Sequence, residues 1–275
     1  MNDRAQYIPV GALEEAFAPD NYGLQPVGDL AGRSLSLHCD NGWTIGQRFV
    51  DDTTLVWTVT GGEGAGESTE ERYTATNPRP GVYFVDFIKS KERATSVSLV
   101  LDLGSGIFTA VIAEMPTRAD IEIPFLDRIA AGLELTSITA TFYHGAIDAP
   151  VTPATPRHEA TSELIGKRVE YTYSSTEQYE HVYLNQNFYA WHCLRGSEQG
   201  LSDVDRCHYY KLGEKFYLFV WREKIIPTLG IVLVDLAGLR TTGKIFGYQG
   251  NDFGKLSNFT VGARARVISV VQRDL

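Results

Sequence analysis

The chain has 275 residues, and its 34 acidic against 25 basic side chains give a formal net charge of −9. Acidic residues spread along its length argue against the basic footprint of a nucleic-acid binder. No stretch approaches the roughly 18 uninterrupted apolar residues of a membrane span, and the opening MNDRAQYIPVGALEEAF lacks an apolar run of signal-peptide length, so the expectation is a soluble cytoplasmic protein with no membrane partner.

Residues 1 to 28 read as an N-terminal extension packed on the body, with a short helical candidate from Ala12 to Phe17, a coil containing Pro19, and turn residues Pro26 and Gly28. From Leu35 the apolar alternation becomes strand-like. Thr54 to Thr60, Gly81 to Ile88, Thr95 to Leu103, Ile107 to Ala113 and Ser137 to Tyr143 are rich in Val, Ile, Thr, Phe and Tyr. Turn chemistry at Asp40-Asn41-Gly42, Gly61 to Gly66, Asn77 to Gly81 and Gly104-Ser105-Gly106 separates them at hairpin spacing. The Pro- and Thr-rich stretch between Asp148 and Thr161 marks a linker. Beyond it, strand patterns recur at Val169 to Tyr173, His181 to Leu184, Phe188 to Cys193, Arg206 to Tyr210, Phe216 to Trp221, Gly230 to Asp235, Lys244 to Tyr248 and Val261 to Val271. The expected domains are therefore an extension (1–28), a first barrel (29–147), a linker (148–162) and a second barrel (163–275).

The two halves repeat. At a shift of 134 residues, Leu30, Gly32, Trp57, Gly62, Gly66, Ser68, Arg72, Tyr83, Leu99 and Val100 meet identical residues from Leu164 to Val234, ten identities where unrelated sequences share about four. Many short strands with few helices favour an all-β fold of two antiparallel barrels, because closure removes unpaired edges. A sandwich is the alternative, since strand periodicity does not fix closure. The sequence leaves homodimerisation open.

Chemistry-bearing residues gather in the second copy. Positions two apart share a face of a strand, so Tyr171 and Tyr173 point together, as do Trp221 and Glu223. Glu223 directly follows an apolar run; facing inward, it would be desolvated and poised as a general acid. The plainer readings are two ordinary strand aromatics and a carboxylate in a solvated turn before Pro227. Arg206, paired with Arg72 across the repeat, is a candidate positive charge or a structural ion pair. Trp57 and Trp191 read first as core anchors; Trp191, Tyr189, Tyr217 and Trp221 are also the candidate walls of an aromatic cavity. Cys39, Cys193 and Cys207 favour reduced thiols over a disulfide framework. The spacing of Cys193 and Cys207 fits no zinc pattern, His192 and His208 add only a loose cluster, and neither metal nor cofactor is expected.

Leu30-Ala31-Gly32-Arg33, Asp40-Asn41-Gly42-Trp43, Leu164-Ile165-Gly166-Lys167, Tyr171-Thr172-Tyr173 and the segment Tyr217 to Glu223 resemble the MoaF family, labelled molybdenum cofactor biosynthesis protein F. The resemblance implies tandem lipocalin-like (calycin) domains over nearly the whole chain; nothing in the sequence shows a pterin or molybdate site. More distantly, Tyr171-Thr172-Tyr173, Trp221-Arg222-Glu223, Val234-Asp235-Leu236 and Gly243-Lys244-Ile245-Phe246 are similar, in order, to motifs of phenolic acid decarboxylases. That similarity implies active-site roles for Tyr171, Tyr173 and Glu223, a small phenolic ligand, and cofactor-independent lyase or isomerase chemistry, with a non-catalytic carrier or accessory protein as the alternative. Arg206 and Arg195 flank the place of that family's arginine without matching it. The first copy has Leu37, Cys39 and Lys89 at the three positions, so it is expected to be a supporting barrel.

Overall fold

The computed structural model describes residues 6–17 and 21–271; Pro19 of the expected coil lies outside them. Helix α1 spans Val10–Phe17, and the first barrel follows as β1 (Ser34–Cys39), β2 (Thr44–Phe49), β3 (Thr54–Gly61), β4 (Ser68–Arg79), β5 (Val82–Ile88), β6 (Thr95–Asp102), β7 (Ile107–Glu114) and β8 (Thr139–Ile147). Helices α2 (Arg118–Glu122) and α3 (Phe125–Ala130) interrupt the β7–β8 connection. The second barrel comprises β9 (Lys167–Thr172), β10 (Gln178–Tyr183), β11 (Phe188–Arg195), β12 (Ser202–Gly213), β13 (Phe216–Arg222), β14 (Thr228–Asp235), β15 (Arg240–Tyr248) and β16 (Leu256–Val270).

Each set of eight is an antiparallel meander that closes on itself, the first through Leu37↔Ile147 and the second through Arg264↔Thr172. Alternation sets which side chains go inside: Leu35, Leu37 and Cys39 on β1 are buried, as are Val169 and Tyr171 on β9. Closure pairs every strand on both sides, so neither sheet presents a free edge.

The duplication is structural. Strands β2 to β5 fall on β10 to β13 at the same 134-residue shift that aligns the sequences. Three repeated glycine pairs sit where the backbone is left-handed: Gly32 and Gly166 (φ 76° and 83°), Gly62 and Gly196 (95° and 132°), Gly66 and Gly200 (99° and 89°). A side chain is strained there, so turn geometry accounts for their retention in both copies.

Two strands and two helices escape sequence reading. Strand β2 is short and polar outside, and β4 carries Pro78; its register with β5 shifts between Thr76 and Arg79, leaving a proline without an N–H outside regular pairing. Helix α2 is held by a capping box in which the Asp120 amide donates to Thr117 Oγ1 and the Thr117 amide to Asp120 Oδ2.

The compact units also differ from the ranges drawn on sequence. One contains Leu24–Glu114 and Thr139–His158, the first barrel; the other contains the described residues up to Gly23, Met115–Ile138, and the described residues from Glu159 onward. The stretch 115–138, inside the range expected for the first barrel, thus belongs to the second unit, and so does α1. Tyr248 donates to the Pro116 carbonyl, and Arg222 to that of Ile138, anchoring this stretch on the outside of β13 and β15. Among the described residues no helix is long and apolar enough to cross a membrane.

Candidate functional site

The interior of the second barrel is an aromatic cluster. Tyr171, Tyr183, Tyr189, Phe219 and Trp221 are all buried, and Phe219 stacks on Trp221 at 5.2 Å between ring centroids. At one end of this cluster lies a cavity of about 30 Å3, lined by Tyr173, His181, Tyr189, Trp191, Trp221 and Glu223 among others. That is room for about one water molecule. Helix α1 is the reason: Leu13 and Phe17 also line the cavity, and the Phe17 ring meets Tyr173 edge-on at 4.9 Å. The helix is tied down by the Gly11 amide donating to the Gln249 carbonyl and by Ser257 Oγ donating to Glu14.

The polar groups around this space form donor–carboxylate pairs. Trp221 Nε1 donates to Glu223 at 2.9 Å, Trp191 Nε1 to Asp205 at 2.9 Å, and the Tyr179 hydroxyl to Glu198 at 3.1 Å. Loss of solvation pushes the Glu223 carboxyl well above the usual range, and repulsion from Asp205 and Glu198 adds to it; the Trp221 bond only partly opposes this. Asp205 and Glu198 are raised by the same loss of water. Lys224 pairs with Asp203 and Asp205. The tyrosines move the same way: burial raises Tyr173, with Tyr171 and Glu223 contributing.

Of the residues singled out on sequence, Tyr173, Glu223, Trp191, Trp221 and Tyr189 all line this one cavity. Tyr171 lies in the adjoining aromatic cluster instead, its hydroxyl 2.7 Å from that of Tyr183. Tyr217 is buried but directs its hydroxyl to Glu163. Neither arginine is in the lining. Arg206 donates to Glu134 and Asn187 at 2.8 Å each, and Arg195 is exposed. Burial works to raise Glu134, but Arg206 and Arg222 outweigh it and hold that carboxyl low, an ion pair outside the cavity lining.

His181 is the residue that sequence reading missed. It is 4% exposed, its Nδ1 has no hydrogen-bond partner, and burial lowers its pKa to about 3, so it is neutral. Its signal was available: it sits between Tyr179 and Tyr183 on one face of β10. Glu198 lay in a loop and had no such signal. Cys193 and Cys207 are free and buried, and burial raises them to about 11 and about 12.

The first barrel, expected to be a supporting copy, contains the larger of the two barrel cavities, about 410 Å3. Leu37, Cys39 and Lys89, at the positions of Tyr171, Tyr173 and Glu223, all line it.

Comparison with known proteins places this architecture. The family described as the MoaF N-terminal domain matches residues 5–117, and that described as the MoaF C-terminal domain matches 158–271. Protein MoaF of Klebsiella aerogenes is 42% identical over 277 residues, covering all of both chains. A crystal structure from Burkholderia vietnamiensis, described as a candidate beta-lactamase, aligns with 46% of this chain and 99% of its own at 16% identity and a TM-score of 0.33, too distant to bear on fold or function. Two domain matches in the expected order and a relative similar from end to end show that this chain belongs to the MoaF family.

Proposed function

We propose that the second barrel binds a small phenolic molecule and acts on it by cofactor-independent acid–base chemistry, with Glu223 as the proton donor. The observation that carries this reading is a buried carboxyl, its pKa raised by desolvation, within an aromatic-lined cavity that also contains Tyr173 and His181. Apolar walls with a few polar groups are what a small-molecule site needs. Phe17 supplies an aromatic ring to the closed cavity, and a phenol ring takes its place when α1 swings away.

On a hydroxycinnamate-like substrate, the phenolic hydroxyl donates to the unpaired His181 nitrogen or to Tyr173. Glu223 gives its proton to the side-chain carbon as the phenol passes its own to the unpaired His181 nitrogen, producing a quinone methide. Cleavage of the bond to the carboxylate then releases carbon dioxide, the bonding electrons return to the ring, and the phenol regains a proton; the net reaction consumes one proton. General acid catalysis of this kind contributes about 10²- to 10⁴-fold. Positive charge for the substrate carboxylate is absent from the lining, so Arg206 and Arg195 have no part in the proposal.

Absorbance of a panel of hydroxycinnamates, followed with the wild type, Glu223→Gln and Phe17→Ala, tests it. Turnover that Glu223→Gln abolishes and Phe17→Ala accelerates supports the enzyme. The absence of an arginine from the lining favours a second reading, a non-catalytic binder of the same ligand class. Saturable binding without turnover, equal in wild type and Glu223→Gln, selects that reading.

A further inference from the structure

The first barrel has a cavity with unspent polar groups. Gln47 on β2 and Trp57 on β3 face each other across the strand pair, and are 4% and 9% exposed. Both line the cavity, and Gln47 Oε1 and Trp57 Nε1 have no hydrogen-bond partner. A buried polar atom left unpaired costs about 1–3 kcal/mol, so one acceptor and one donor side by side inside an apolar barrel call for a ligand group that satisfies both. A hydroxyl does this, donating to Gln47 and accepting from Trp57. The second barrel shows the contrast: its equivalent indole, Trp191, is occupied by Asp205.

The rim has the opposite character. Glu63, Glu67, Glu92 and Glu114 line the mouth as exposed carboxylates. The one ammonium, Lys89, is paired with Glu92 and rests 4.7 Å from the centre of the Trp57 ring. No ion pair engages Glu63, Glu67 or Glu114 among the described residues, so the mouth keeps a net negative field. Trp43 and Tyr143, stacked at 5.5 Å, add ring faces that attract a cation.

We infer that the first barrel is a binding site for a small aromatic organic cation: an arylalkylammonium with its ammonium among the rim carboxylates, its ring in the apolar barrel, and a distal hydroxyl at Gln47 and Trp57. The inference stands independently of the reading of the second barrel.

Calorimetric titration of the full chain with 2-naphthylmethylamine, 2-naphthoate and 2-naphthylmethanol separates charge from shape, and the 6-hydroxy derivative of the amine tests the distal pair. The amine is expected to bind about tenfold tighter than the carboxylate at low ionic strength, with the gap closing as salt is added. Glu63→Gln with Glu67→Gln, both on exposed positions that do not threaten folding, should narrow that gap severalfold. The 6-hydroxyl should tighten binding in the wild type and not in Gln47→Leu, and Ala110→Trp should block the cavity to all probes. Should Ala110→Trp fail to fold, the rim variants decide. The inference is overturned by tighter binding of 2-naphthoate, by equal affinity for amine and alcohol, by a gap that ignores the rim variants, or by no binding of any probe.

Discussion

Replacing Glu223 by Gln should change how the stability of the second barrel depends on pH. Burial holds the folded-state pKa of this carboxyl above its ordinary value of 4.5, so over the interval between the two the folded protein retains a proton that the unfolded chain has released. In that interval the unfolded state binds fewer protons, and stability falls as pH rises, by about 1.4 kcal/mol per pH unit for one group. The contribution is fully present below the unfolded pKa and lost as pH climbs through the folded one. Asp205 and Glu198 are raised for the same reason, so the wild-type slope contains more than one such group. The difference between wild type and Glu223→Gln reports the Glu223 proton together with the relief its removal gives Asp205 and Glu198. Gln keeps an oxygen to accept from Trp221 Nε1, so the indole is not orphaned. The four tryptophans divide evenly, Trp43 and Trp57 in the first barrel and Trp191 and Trp221 in the second. Urea unfolding followed by fluorescence in a Trp43→Phe, Trp57→Phe background therefore reports the second barrel alone. Above about pH 5 the variant should lose stability less steeply than the parent, by up to about 1.4 kcal/mol per pH unit until Glu223 ionises. Parallel curves across the range would show that Glu223 ionises as freely in the fold as outside it, and the proton-donor role would fall with that result.

Phe17→Ala should cost the second barrel about 3 kcal/mol, the low end for a buried phenylalanine, because it empties a site at the cavity mouth. The same variant should bind phenols more tightly in calorimetry; weaker or unchanged binding would mean that α1 does not control access. Arg206→Ala should cost less than about 1 kcal/mol in urea unfolding, since its ion pair with Glu134 is partly exposed, and should leave phenol binding intact. Maleimide labelling near pH 8 should spare Cys193 and Cys207 in the native fold and modify them readily in denaturant, because burial holds both as thiols.

Alternation made much of the site legible. It put Tyr173 with Tyr171 and Trp221 with Glu223 on shared faces, and the same rule applied to β10 puts His181 with Tyr179 and Tyr183. It did not distinguish Tyr171 from Tyr173, because period two assigns a face and says nothing about depth along the barrel: Tyr171 meets Tyr183, while Tyr173 reaches the cavity. Arg206 stayed open between two readings because an arginine repeated in both copies has the same sequence signature whether it serves a ligand or an ion pair; its side chain goes to Glu134, 72 residues away.

The sequence by itself determined the duplication, the places where strands must turn, and the faces of most strands, since each depends on residues near one another or on a fixed repeat. Left-handed turns favour glycine, which is why Gly32 and Gly166 were readable. Tertiary structure decided what fills each barrel. That α1 and residues 115–138 join the second unit, that Phe17 closes one cavity to about 30 Å3, and that the copy without the tyrosine and glutamate set keeps about 410 Å3 follow from packing between side chains distant in sequence. Cavity volume is what remains after those side chains are placed, and no local pattern encodes that remainder.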